Sequence, residues 1–87
     1  MIPTVVMYRT SWCPYCTRAR SLLDRKDVTV EEIDIEEHPE ARAQMIARSG
    51  RTSVPQIFIG GTHVGGCDDL YALEASGRLD PMLKTGA

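Results

Sequence analysis

The first patterned stretch, Thr4 to Tyr8, is a β-branched apolar run with no polar break. That pattern suits a central strand buried on both faces. The rhythm changes at Pro14. Tyr15, Ala19, Leu22 and Leu23 recur at helical spacing, while Arg18, Arg20, Arg25 and Lys26 fall largely elsewhere. Pro14 fits the first helical position, where a backbone N–H is not needed. Val28 to Ile35 reads as a second strand, but its alternation slips between Val30 and Ile33. The slip predicts a short strand or a bulge. His38-Pro39 starts a second helix carrying Ala43, Ile46 and Ala47, with Gly50 as its stop.

Gln56 to Ile59 is a third strand, and Gly60-Gly61 is a two-residue hairpin signal into Thr62-His63-Val64. Gly65-Gly66 breaks that strand. Cys67 or Asp68 then caps a third helix containing Leu70, Tyr71 and Leu73, which stops at Gly77. Pro81 to Leu83 reads as a short tail over an edge of the core. The order β-α-β-α-β-β-α predicts an α/β fold, with a four-stranded mixed sheet flanked on both faces by three helices.

A chain of 87 residues has room for one core, so residues 1–87 are expected to form one domain. A net charge of -2 lacks the basic surplus of a nucleic-acid binder. The longest apolar run, Val5-Val6-Met7-Tyr8, is far too short to span a bilayer. Met1-Ile2-Pro3-Thr4 has no charged region ahead of an apolar one, so it does not read as an export signal. The expected setting is therefore the reducing cytoplasm, with no membrane and no nucleic-acid partner. Three cysteines, an odd number, fit poorly with a structural disulfide framework. They are expected to do chemistry or to bind metal.

Cys13-Pro14-Tyr15-Cys16 is where that chemistry concentrates. Cys13 follows a strand and sits at a helix start, where unpaired N–H groups and the positive end of the helix dipole favour a thiolate. Cys16 lies one helical turn later, within reach of the Cys13 sulfur. Cys13 is thus placed to attack a disulfide, and Cys16 to displace the reduced product. Two other readings compete. Half of a zinc site would need a second ligand pair nearby, and His63 with Cys67 is distant in the chain. Two inert core cysteines are common, but a proline between them at a helix start argues for chemistry.

Cys13-Pro14-Tyr15-Cys16, Thr52-Ser53-Val54-Pro55-Gln56-Ile57-Phe58-Ile59 and Gly65-Gly66-Cys67-Asp68-Asp69-Leu70, in this order and spacing, resemble the dithiol glutaredoxins of the short bacterial type. The likeness covers about Val5 to Leu83. It implies the thioredoxin fold and glutathione-dependent reduction of protein disulfides and protein–glutathione mixed disulfides. It implies glutathione as the reducing cosubstrate and no metal. It also suggests a monomer acting on glutathionylated or disulfide-bearing proteins, with ribonucleotide reductase among them. The catalytic pair would be Cys13 and Cys16. The glutathione contacts would be Tyr15, Ser53, Val54, Pro55, Gly66, Cys67 and Asp68, with Val54–Pro55 a cis bond. Without the resemblance, Pro55 reads as an ordinary trans proline, because cis X–Pro bonds are the minority.

Some of these residues keep a plainer reading beside the functional one. Tyr15 is either a wall of the glutathione groove or a core residue of its helix. Asp68 either meets the ligand ammonium or caps the helix, and the two are compatible. Cys67 matches the additional, non-catalytic cysteine of many glutaredoxins and reads as inert. The acidic run through Glu31, Glu32, Asp34, Glu36 and Glu37 reads as a solvated face. One departure stands out: glutaredoxins usually carry a lysine three residues before the nucleophile, where this chain has Thr10. Arg9 is one position off and on the opposite face of a strand. Arg51 is the candidate substitute. Two rival functions remain: a dimer sharing an iron–sulfur cluster between Cys13 thiolates, and a donor recharged by thioredoxin reductase.

Overall fold

Four strands and four helices follow one another in the computed structural model, which describes residues 3–85. They are β1 (Val5–Arg9), α1 (Pro14–Arg25), β2 (Val30–Asp34), α2 (Pro39–Ser49), β3 (Gln56–Ile59), β4 (Thr62–Gly65), α3 (Cys67–Ala75) and α4 (Leu79–Thr85). The sheet order is β2-β1-β3-β4. β1 pairs parallel with β2 and antiparallel with β3, and β3 pairs antiparallel with β4. The mixed sheet expected from the element order is present.

β1 is interior to the sheet, and strand alternation lets it serve two cores. Val5 and Met7 join Ile57 and Ile59 under α1, α3 and α4, where Ala19, Leu22, Leu23, Leu70, Leu79 and Leu83 complete one cluster. Tyr8 turns to the other face and meets Phe58, Ala41 and Met45 under α2. The expectation for α2 needs correction in part: Ile46 packs at the edge of the core as expected, but Ala41 and Met45 are the buried residues, while Ala43 and Ala47 are exposed. Both sets fit a helical period. Packing chose the face carrying the larger side chain, and an exposed alanine costs little.

The slip in β2 gives the short strand, Val30–Asp34, and not a bulge. Its pairing with β1 runs unbroken from Val30 to Asp34. The irregular residue is Glu32, opposite Met7, whose carboxylate is met by Arg9 Nε at 3.3 Å and by Arg20 Nη1. An edge strand tolerates a charged residue at an apolar phase when cations from the neighbouring strand and helix meet it. The bulge lies instead between β3 and β4. Ile57 pairs with Gly65 and Phe58 with His63, which leaves Val64 as the extra residue.

The tail is also corrected. It covers the core as expected, but as the helix α4, burying Leu79, Met82 and Leu83. Lys26 Nζ, beyond the end of α1, bridges Glu74 of α3 at 2.7 Å and Asp80 of α4 at 3.0 Å. Seven residues are too few to show a period, and such a helix is marginal alone, so tertiary contact supplies its stability. No described helix is long and apolar enough to cross a membrane.

Candidate active site

Cys13 is the N-cap of α1, with extended backbone (φ -88, ψ 115) and Pro14 next in the helix. That placement follows from the sequence: Pro14 supplies a helical φ without an N–H to satisfy. The Cys13 sulfur accepts the Cys16 backbone N–H at 3.4 Å, a bond that strengthens when the sulfur is anionic. The same sulfur approaches the Val54 carbonyl oxygen at 3.9 Å. Only 6% of Cys13 is exposed and none of Cys16. All three cysteines are free thiols.

Burial pushes the Cys16 thiol up, to about 12. A backbone hydrogen bond at Thr10 works against this, while the hydrogen bond and charge of Cys13 add to it. Cys16 is therefore held as a thiol. Burial also raises Cys67, partly offset by Arg18. Arg18 itself lies 5.4 Å from the Tyr71 ring, and Tyr71 donates to the Arg18 carbonyl at 3.2 Å.

One groove opens between the Val54–Pro55 turn and the start of α3. Tyr15, Ser53, Val54, Pro55, Gly66, Cys67 and Asp68, all singled out in the sequence, line it together. Val54–Pro55 is cis. Tyr15 is 54% exposed, which removes the core reading for it. Arg51, Gln56 and Asp69 complete the wall.

The cap of α3 differs from expectation. Gly66 is the N-cap, and its N–H donates to Asp69 Oδ2 at 2.9 Å. Neither Cys67 nor Asp68 fills that role. With no side chain at the N-cap, the carboxylate three residues on does the satisfying. Asp69 also pairs with Arg51 Nη1 at 3.0 Å. The Gly66 N–H and then Arg51 hold its carboxyl below the ordinary aspartate range. Asp68 has no hydrogen bond or ion pair with another described residue, so its carboxylate is open to a ligand.

Gly65 shows why glycine stands ahead of the cap. Its φ is +119, and a Cβ there would run into the Asp69 carboxylate, with Cγ at 2.7 Å. Thr10 is buried, and its hydroxyl has no partner among the described residues. It does not line this groove, whereas Arg51 does. Arg9 is engaged with Glu32.

The sequence pattern marks Gln56 only as the start of a strand. It is fully buried, and its Nε2 donates to the Ser53 carbonyl at 3.0 Å. Its Oε1 then serves as acceptor, so the His63 Nε2, 2.8 Å away, carries a proton. Burial, then Arg51, lowers the His63 pKa. This relay ties β4 to the turn that faces Cys13. A glutamine just after Val54-Pro55 was the available signal; its partner His63 lies across a bulged register that the sequence does not show. Among the described residues, no group of three or more His, Cys, Asp or Glu gathers to hold a metal ion.

Comparison with known proteins gives a consistent result. The family model described as Glutaredoxin matches residues 5–64. A glutaredoxin of Pseudomonas aeruginosa is 57% identical over 82 residues, 94% of this chain and 98% of its own. The solution structure of glutaredoxin from Brucella melitensis is 57% identical with a TM-score of 0.87, covering 99% of this chain and 94% of that one. The crystal structure of a buckwheat glutaredoxin–glutathione complex is 31% identical with a TM-score of 0.86, covering 93% and 76%.

Proposed function

The chain belongs to the glutaredoxin family, and on that premise we propose that Cys13 is the nucleophile and Cys16 the resolving thiol of its thiol–disulfide chemistry. The protein is a glutathione-dependent thiol oxidoreductase with a thioredoxin-like fold. One observation carries the residue assignment: the Cys13 sulfur caps α1, accepts the Cys16 N–H at 3.4 Å and borders the groove beside Val54.

Cys13 attacks as a thiolate and forms a mixed disulfide, releasing the other sulfur of the substrate. Bonding consumes the Cys13 charge, and with it an influence that keeps Cys16 protonated. Burial, the main cause of the raised Cys16 pKa, remains, so Cys16 resolves the mixed disulfide by losing its proton as it attacks. With a glutathione adduct on Cys13, a second glutathione thiol can resolve the bond, and Cys16 is not needed.

The groove is the proposed glutathione site. The backbone groups of Val54 would pair with the extended tripeptide as an added strand does. The start of α3 at Gly66 and Cys67 offers N–H groups to its γ-glutamyl carboxylate, and Asp68 offers a carboxylate to the ammonium. Arg51 would meet the glycine carboxylate in place of the lysine that Thr10 replaces. The buckwheat protein, described as a glutathione complex, supports this use of the same fold. We place the protein in the cytoplasm as a single-domain monomer, serving glutathionylated and disulfide-bearing proteins, with ribonucleotide reductase a candidate.

The test is NADPH consumption with glutathione, glutathione reductase and a glutathione mixed disulfide. Wild type and Cys16→Ser are expected to be active and Cys13→Ser inactive. Activity retained in Cys13→Ser, or lost in wild type, overturns the assignment.

A further inference from the structure

A second groove meets the first at the turn facing Cys13. Trp12, Ile35, Glu36, Arg42, Ser53 and Val54 are among the residues that line it. Ser53 and Val54 are the two residues common to both grooves. The second groove therefore reaches the turn whose Val54 carbonyl lies 3.9 Å from the Cys13 sulfur, while sharing none of the α3 residues that would hold glutathione.

Three features say what would fit it. Trp12, the residue before Cys13, is 69% exposed, an unusual state for so large an apolar ring. The ring is not loose: its Nε1 donates to Glu36 Oε1 at 2.8 Å, which fixes the indole edge and occupies that carboxylate. Arg42 is exposed on α2 and makes no ion pair or hydrogen bond with another described residue. Glutathione carries two carboxylates and an ammonium. A held indole, buried Ile35 and one free cation suit an apolar side chain followed by a single carboxylate.

We propose that this groove seats the protein side of a disulfide substrate: an extended segment whose residue beside the reactive cysteine is apolar and lies on Trp12, and whose next acidic residue meets Arg42. The inference rests on the oxidoreductase reading above. In the reaction it serves, the Cys13 thiolate forms a bond to one sulfur of the substrate disulfide, and the other sulfur leaves as a thiolate. Cys16 loses its proton to solvent and attacks the Cys13 sulfur, expelling the first substrate sulfur. The substrate has gained two electrons, and Cys13–Cys16 is oxidised. Two glutathione thiols reduce it and become glutathione disulfide.

The experiment compares kcat/KM for two disulfide-bridged peptides with an aromatic residue next to the cysteine, differing only in Glu or Lys at the position after it. A small glutathione mixed disulfide is the control. Wild type is expected to prefer the Glu peptide by about threefold or more, the size of an exposed charge contact. Arg42→Glu reverses the preference, and Trp12→Ala lowers both peptides alike. Both variants keep the control activity within about twofold, since neither residue lines the first groove. Equal rates for the two peptides in wild type overturn the groove, as does an equal loss on peptides and control in either variant. Absence of activity on the control in wild type removes the oxidoreductase reading itself.

Discussion

The division of labour proposed for Cys13 and Cys16 rests on one helical turn. Cys13 sits outside the first turn of α1 with its sulfur accepting the Cys16 N–H, while Cys16 sits inside it, fully buried. A raised thiol pKa has a consequence for stability. Above pH 9.0 the unfolded chain ionises Cys16, but the folded chain holds the proton until about 12. The unfolded state then binds fewer protons, so stability falls as pH rises through that window. Cys67, also raised by burial, acts in the same direction. Urea unfolding of the reduced protein at pH 8 and pH 10 is expected to show this alkaline loss, and Cys16→Ser to show less of it. An identical loss in the variant would remove Cys16 as its source. Arg51 gives a second prediction at this scale. It is half-exposed and tied to Asp69 at the groove wall. Arg51→Ala should raise the KM for a glutathione mixed disulfide about fivefold with kcat nearly unchanged, as fits an exposed charge contact. An unchanged KM excludes it as the substitute for the missing lysine.

Among the elements, α4 has the least support in its own sequence. Its seven residues gain order from burying Leu79, Met82 and Leu83 and from the Lys26 bridges. Leu79, with no exposed surface, contacts the cluster beneath α1 and α3. Leu79→Ala is expected to cost about 2–5 kcal/mol in urea unfolding while leaving kcat/KM intact, because no α4 residue lines either groove. A cost under about 0.5 kcal/mol, the size of a surface change, would mean the helix is an ornament. The junction of β4 and α3 works the opposite way. It is strongly coded, by Gly65, Gly66 and Asp69, and it needs every one of them. The bulge at Val64, the positive φ of Gly65 and the Asp69 cap together set the angle at which α3 meets the Pro55 turn. Gly66 passes close to that turn: a Cβ there would stand 3.4 Å from the Pro55 carbonyl oxygen.

At the scale of the molecule, one sheet separates two unequal cores, and the site sits where the ends of both converge. The larger core lies under α1, α3 and α4 and includes Cys67, with Cys13 and Cys16 at the start of α1. The smaller, under α2, is closed by Met45 and by Arg48, which stacks 4.1 Å from the Phe58 ring and donates to the Tyr8 hydroxyl at 3.1 Å. Because β1 and β3 contribute side chains to both, the cores are mechanically one unit. Met45→Ala is expected to lower stability by about 2–5 kcal/mol and to keep a single transition, with circular dichroism and Trp12 fluorescence changing together. Separate transitions by the two probes would show that the α2 side melts independently.

Local rules were enough to find the strands, the first three helices, the hairpin and the cysteine at the start of α1. Those features depend on neighbours in the chain: a proline after Cys13, a glycine pair after Ile59, a glycine at the end of α2 with φ 71. The family pattern located the groove residues before any geometry was known. Tertiary structure decided what depends on distant partners. It chose Met45 over Ala43 as the inward face of α2, because the sheet presents Tyr8 and Phe58 there. It made a phase slip into a salt-bridged Glu32, because Arg9 and Arg20 arrive from other elements. It moved the α3 cap to Gly66 and gave Gln56 its tie to His63, because a bulge sets the register of β4. And it placed Trp12 and Arg42, thirty positions apart in the chain, on one groove beside the reacting sulfur. Sequence specifies conformations whose causes are a few residues long; the energy of a contact between remote residues exists only once the chain has closed on itself.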